Sequence, residues 1–273
     1  MKQKKPLLVA NWKNQISTIT SAEKLFTSIS KKLGTTTDIE TVICPPMIYV
    51  GLLGKLVTSR NVVLGVQGLL DVAGTTQTGC ITPEMVFNSR ARYVIIGHSE
   101  ERARGVIDTQ IRETMLGILK QPLIPIICIG ETARDKNHLY YEIIREQIET
   151  IFKKISPEYM RRMVIAYEPI WAIGKNAKRE CTPDETMMML QFIRKTLLDI
   201  NHDIKLVQSI PIIYGGSVNP DNAKSYMNIG GADGLLVGRS SLDSKTFFSI
   251  AKQITPNKKK NKYIPDVFNS GND

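Results

Sequence analysis

The sequence predicts an α/β fold, a single-domain (β/α)8 barrel, and three observations carry that expectation. Short apolar, β-rich runs recur eight times, each followed by a longer segment with helical spacing. The runs are almost unbroken in Val, Ile and Leu, as strands covered on both faces should be, whereas a strand with one wet face would alternate. The length of 273 residues suits one barrel of about 250 residues. A doubly wound open sheet is the alternative, but no G-x-G-x-x-G follows the first strand.

The strands are expected at 6–11, 41–44, 62–66, 93–97, 123–129, 163–167, 210–215 and 234–237. Between them, Ala22, Leu25, Phe26, Ile29 and Leu33 share one helical face, opposite Lys24, Lys31 and Lys32. Thr20-x-x-Glu23 and Thr182-Pro183-Asp184-Glu185 read as capping boxes, the second with Pro at the first helical position. Parallel strands need crossover helices, and eight such units can close into a barrel. The barrel is expected over residues 1–254, with 255–273 a polar, basic C-terminal tail.

Composition narrows the class. At 42% hydrophobic and 23% charged residues, disorder as the main state is excluded. No apolar run approaches the roughly 20 residues that span a bilayer, and no signal-peptide cleavage pattern opens the chain. The four cysteines (Cys44, Cys80, Cys128 and Cys181) stand far apart without a C-x-x-C pair. That usage fits a reduced protein, so a cytoplasmic location is expected. The net charge of +10 owes much to Lys2, Lys4 and Lys5 at one end and Lys258, Lys259, Lys260 and Lys262 at the other. Such tails usually solubilise, weak attraction to a polyanion being the alternative. Neither a membrane nor a nucleic-acid partner is expected.

In a barrel of this kind chemistry sits where strands end and helices begin. Strand one ends in Asn11-Trp12-Lys13, strand four in Gly97-His98-Ser99-Glu100, and strand six in Tyr167-Glu168-Pro169. Strands seven and eight end in Tyr214-Gly215-Gly216-Ser217 and Gly238-Arg239-Ser240-Ser241. Each item has a bland reading: a solvated lysine, a hydrogen-bonded core histidine, a structural carboxylate before proline, turn glycines. Together they put a lysine, a histidine, a glutamate and two small-residue loops at the ends of five strands. A base, a neutral electrophile, a cation and backbone N–H groups aimed at a phosphate are what proton transfer beside a carbonyl requires.

Asn11-Trp12-Lys13, Gly97-His98-Ser99-Glu100, Ala166-Tyr167-Glu168-Pro169-Ile170-Trp171-Ala172-Ile173-Gly174 and Tyr214-Gly215-Gly216-Ser217 resemble the four signatures of the triosephosphate isomerase family. They stand in family order and spacing, and the similarity runs from about residue 6 to 254. The resemblance implies a TIM barrel that interconverts dihydroxyacetone phosphate and glyceraldehyde 3-phosphate through an enediolate. It implies Glu168 as the base and neutral His98 as proton donor to the carbonyl oxygens, with Lys13 and Asn11 offsetting charge. A lid at 169–178 would close over the substrate, whose phosphate would sit on the N–H groups of Gly174, Ser217, Gly238 and Arg239. Glu100, Cys128, Glu131 and Tyr214 would support these residues. The lid tryptophan would swing away from Glu131 on closing. No metal or organic cofactor is implied, and the partners are a small phosphorylated sugar and a second copy of the chain in a homodimer.

Three departures from the family pattern stand out. The third-loop Gly-Glu pair reads Gly79-Cys80, and Ser-Glu-Arg-Arg reads Ser99-Glu100-Glu101-Arg102. Both members of the family's intersubunit ion pair are thereby changed. After Gly174 the Thr-Gly-Lys hinge is replaced, as in related isomerases of four-carbon erythrulose phosphates, which makes such a substrate the alternative. A non-catalytic phosphate-binding barrel is the other. Finally, Arg239 replaces a glycine of the strand-eight loop.

Overall fold

The computed structural model describes residues 5–68, 71–72, 76–174, 177 and 179–256. Eight parallel strands close into a barrel in sequence order. β1 (Leu7–Asn11) leads to α1 (Ile19–Leu33), β2 (Glu40–Cys44) to α2 (Met47–Gly54), and β3 (Val62–Gln67) to α3 (Pro83–Asn88). β4 (Ala91–Ile96) leads to α4 (Ser99–Arg102) and α5 (Asp108–Leu119), and β5 (Ile124–Ile129) to α6 (Tyr140–Phe152) and α7 (Pro157–Met160). β6 (Val164–Tyr167) precedes a 3-10 turn (Ile170–Ala172), α8 (Pro183–Asn201) and α9 (Ile204–Ser209). β7 (Ile212–Tyr214) leads to α10 (Ala223–Asn228), and β8 (Gly234–Val237) to a second 3-10 turn (Arg239–Ser241) and α11 (Ser244–Ile254). Closure comes from β1 on β8, with Leu7 opposite Gly234 and Ala10 opposite Val237.

The unbroken apolar runs have the expected cause. Alternate strand residues, among them Val9, Val42, Tyr93, Ile126, Val164 and Ile213, fill the barrel interior. Their neighbours Leu8, Ile43, Leu64, Val94, Ile127 and Ile165 pack outward under the helices. Both faces are dry, so neither tolerates a polar stripe. On α1, Ala22, Phe26, Ile29 and Leu33 are buried and Leu25 is partly so.

Two local expectations are corrected. The first helix is capped by Thr18, whose side chain accepts from the Ser21 N–H, so Thr20 lies inside the first turn and Thr20-x-x-Glu23 is no capping box. β7 is shorter than 210–215, because α9 runs to Ser209 and Pro211 has no N–H for the ladder. The box at Thr182 and Glu185 does start α8. No helix among the described residues is long and apolar enough to cross a membrane. The expected tail, apart from Thr255 and Pro256, lies outside the described residues.

Candidate active site

The chain turns sharply after β1. Lys13 holds φ +51, a left-handed conformation costing a non-glycine residue on the order of 1–3 kcal/mol. Neighbours on three strands hold it there. Asn11 Oδ1 accepts the Lys13 N–H at 3.1 Å, and the Gln67 amide, at the end of β3, donates to the Lys13 and Cys44 carbonyls at 3.2 and 2.8 Å. Trp12 is fully buried beside them, and its backbone N–H donates to the Cys44 carbonyl. Lys13 Nζ then reaches Glu100 Oε1 at 2.7 Å. Burial alone would raise the Glu100 carboxyl, but the hydrogen bond and charge of Lys13 hold it below its ordinary value.

His98 leaves β4 as the cap of α4. Its Nδ1 accepts the Glu100 N–H at 3.1 Å, so that nitrogen carries no proton and the neutral ring bears its hydrogen on Nε2. Nε2 lies 3.2 Å from Glu168 Oε1. Glu168 Oε2 accepts the Ser99 N–H at 2.9 Å, and the residue is only 2% exposed. One buried carboxylate is thus held by an imidazole and a backbone amide, both from the end of β4.

The Glu168 backbone is fixed as tightly. Its N–H donates to Ile129 at 2.8 Å. A Cβ at Gly130 would fall 1.8 Å from the Glu168 carbonyl oxygen, so only glycine permits this approach of β5 to β6. The buried Gln147 of α6 clamps Gly130, accepting its N–H and donating to its carbonyl, both at 2.9 Å. Cys128 lies in the interior next to this cluster; burial raises its thiol well above the ordinary value, and the Glu168 and Glu101 carboxylates add to the effect. It therefore stays a neutral packing group.

Beyond Glu168, the fully buried Glu131 gathers two hydrogen bonds and an ion pair on one oxygen. Trp171 Nε1 lies at 2.8 Å, Tyr167 Oη at 2.9 Å, and the Arg134 guanidinium forms an ion pair at 2.9 Å. Burial raises the Glu131 carboxyl, and Arg134 and the two hydrogen bonds offset only part of that.

The two small-residue loops are tied together, Ser240 Oγ donating to the Val218 carbonyl at 2.7 Å. Ser217 Oγ donates to Ala172 at 3.3 Å, and Asn222 Nδ2 to the Ser217 carbonyl at 2.9 Å. A Cβ at Gly238 would lie 4.0 Å from Lys13 Cε, which puts the β8 loop beside the lysine. Arg239 is exposed and opens the second 3-10 turn, without a contact that joins it to Lys13, His98 or Glu168. Gly174 (φ +83) closes the described stretch after Glu168. Of the expected lid, residues 175, 176 and 178 lie outside the described residues. Tyr214 stacks on Tyr226 at 4.0 Å, and its buried hydroxyl has no hydrogen-bond partner among the described residues. A Cβ at Gly216 would collide with that hydroxyl.

Comparison with known proteins decides the family. The family model described as triosephosphate isomerase matches residues 6–254. The triosephosphate isomerase of Chloroflexus aurantiacus is 35% identical over 247 residues, covering 90% of this chain and 97% of the relative. That of Wigglesworthia glossinidia brevipalpis is 36% identical over 259 residues, covering 93% and 98%. That of Roseiflexus castenholzii is 35% identical over 254 residues, covering 92% and 98%. The chain belongs to the triosephosphate isomerase family.

Against the triosephosphate isomerase pattern, the departure at Glu101 acquires a local explanation. Glu101 is buried within its own chain, and its Oε2 accepts the His98 N–H at 3.2 Å to complete the capping box of α4. The carboxylate that replaces the family's arginine thus supports the histidine. Arg102 is absorbed locally too, by Asp108 at 2.6 Å and by the Gly97 and Cys128 carbonyls. Cys80 is exposed, its Sγ 3.4 Å from Gln77 Oε1. Gln67, Gln147, Glu101 and Ser240 were not expected as supports. The glutamines carry no motif, and only long-range packing of strand ends and helices brings these residues to their partners.

Proposed function

We propose that this protein interconverts dihydroxyacetone phosphate and glyceraldehyde 3-phosphate, with Glu168 as the base. The observation that carries the reading is the buried Glu168 carboxylate, held between His98 Nε2 and the Ser99 N–H. Glu168 takes a proton from the carbon beside the substrate carbonyl, and the C–H electrons form the enediolate double bond. His98 hands the Nε2 proton to the carbonyl oxygen, while the Glu100 N–H on Nδ1 stabilises the charge left on the ring. Lys13 offsets the negative charge of enediolate and phosphate. The Asn11 amide keeps its NH2 as a donor once its oxygen is engaged by the Lys13 N–H. The hydroxyl on the adjacent carbon then gives its proton back to His98 Nε2 as the new carbonyl forms, and return of the proton from Glu168 to the former carbonyl carbon completes the transfer.

The substrate phosphate is bound by the N–H groups of Gly174, Ser217, Gly238 and Arg239. The coupled Ser217 and Ser240 loops and the closeness of Gly238 to Lys13 support this. The active form is a homodimer. Its support is the exposed loop end at 76–80, together with the exposed Ile48 and Met85 on the first turns of α2 and α3. Four free cysteines support a reducing, cytoplasmic location. The barrel at 1–254 and a polar, basic tail at 255–273 form the domain plan.

One preparation assayed with glyceraldehyde 3-phosphate and with erythrulose phosphates tests the reading. Turnover of the triose phosphate is expected to dominate. Preference for the four-carbon substrate, or binding without turnover, would overturn it.

A further inference from the structure

The connection that follows Glu168 joins its two ends through side chains. Trp171 lies at its start and Arg179 near its end, and the Arg179 guanidinium sits over the indole, 4.6 Å from the ring centroid. Glu185 keeps it there. Both Glu185 carboxylate oxygens take guanidinium N–H groups, at 2.6 and 2.7 Å. Such a two-pronged pair fixes the guanidinium plane as well as its position. Glu185 is immobile in turn, since it accepts the Thr182 N–H at 2.9 Å in the cap of the 19-residue α8. The anchor therefore belongs to a long packed helix.

On its other side Trp171 is held by Glu131 through Nε1, and the Arg134 guanidinium lies 5.5 Å from the same ring. Two like charges near one indole repel. The arrangement persists because each has its own carboxylate, Arg134 on Glu131 and Arg179 on Glu185. The 3-10 turn Ile170–Ala172 cannot shift without lifting the indole from both. That turn begins two residues after Glu168, and its Ala172 carbonyl takes the Ser217 hydroxyl. Whatever holds Trp171 therefore bears on both the base and the proposed phosphate loop. Arg179 itself contacts Trp171, Glu180 and Glu185.

We propose that Arg179 is a positioning residue for the isomerisation: clamped on Glu185, it keeps Trp171 on Glu131 in the free protein and sets how readily the turn after Glu168 rearranges around a phosphate ester. The proposal rests on the isomerase reading above. It has a consequence opposite to that of an ordinary binding arginine, because removing a cation should strengthen binding.

The test compares Arg179→Met, Arg179→Lys and Glu185→Gln with the parent protein. Arg179→Met keeps the aliphatic stem, Arg179→Lys keeps the charge without the planar fork, and Glu185→Gln loosens the clamp. The inhibition constant of a phosphorylated hydroxamate that mimics the enediolate is measured with kcat, KM and the thermal midpoint. Arg179→Met is expected to bind the hydroxamate and lower KM by about two- to fivefold, the size of an exposed cation–π contact, with kcat no higher. The other two should fall between it and the parent. Unchanged or weaker hydroxamate binding in both Arg179 variants, with only the thermal midpoint lowered, would leave a purely structural role and overturn the proposal. An inactive parent would sink the isomerase reading separately. Acrylamide quenching during titration with inorganic phosphate then still decides the matter, because Trp12 is fully buried and only Trp171 responds. Half-maximal change at lower phosphate in Arg179→Lys supports the clamp, and equal or higher phosphate contradicts it.

Discussion

The two ends of the barrel put their basic side chains to different uses. At the N-terminal end of the strands, arginines are absorbed by backbone. Arg162 donates to the Leu119, Gln121 and Leu123 carbonyls, and Arg194 to Val207 and Ile210 as well as to Asp233. These groups satisfy carbonyls that helix ends leave over. At the C-terminal end, Lys13 and His98 meet carboxylates instead, Glu100 and Glu168, and the backbone holds their loops in place. Arginines meet carbonyls at the one end, whereas at the other Lys13 reaches the exposed Glu100 and the neutral His98 ring faces the buried Glu168.

The sharpest way to break this contrast is at the proposed base. Glu168→Gln preserves shape and removes the proton acceptor, so kcat is expected to fall by at least ~10²–10⁴-fold with circular dichroism unchanged. An unaltered kcat would remove Glu168 from the chemistry. His98→Gln is expected to lower kcat by roughly 10²–10³-fold with a smaller change in KM. A change confined to KM would mean that the imidazole only binds. Lys13→Met should damage kcat and KM together, and a loss of thermal stability alone would make that lysine structural.

Two further substitutions separate scaffold from chemistry. Gly130→Ala forces a methyl onto the Glu168 carbonyl, costing about 1–3 kcal/mol. Because it displaces the proposed base, kcat should fall more than binding weakens. Arg162→Met at the opposite end strips donors from three carbonyls and should cost about 1–3 kcal/mol of stability. Its kcat should match the parent's, and a lost kcat would dissolve the contrast between the ends.

The eight strands were legible because dryness on both faces writes itself as unbroken Val, Ile and Leu. The catalytic candidates were legible because Lys13, His98 and Glu168 each follow such a run directly. Supports arising from long-range contact were not. Gln67 matters because three strands end beside it, and Gln147 because α6 packs over Gly130. Glu101 read as a lost intersubunit charge until its capping of His98 was visible. Thr20 and Glu23 show the converse failure, since their spacing imitates a cap that Thr18 supplies.

The smallest expected effect concerns acid stability. Hydrogen bonds from Arg179, with the Thr182 N–H, hold the Glu185 carboxyl at about 2 against an ordinary 4.5. A carboxyl lowered on folding stabilises the native state above its unfolded value, and the contribution is lost as pH falls through the folded value. Thermal stability should therefore drop between about pH 4.5 and 2, and Glu185→Gln should flatten part of that slope. An identical slope in the variant would show the pair to be inconsequential.

The central claim is that Glu168 carries one proton between adjacent carbons of a triose phosphate. Isomerisation in deuterium oxide, followed by nuclear magnetic resonance, tests it most directly, because a proton held on a carboxyl exchanges with solvent. The parent protein is expected to place deuterium on the carbon that receives the proton, and Glu168→Gln to form neither product nor label at a comparable rate. Equal labelled turnover by both proteins would contradict the account.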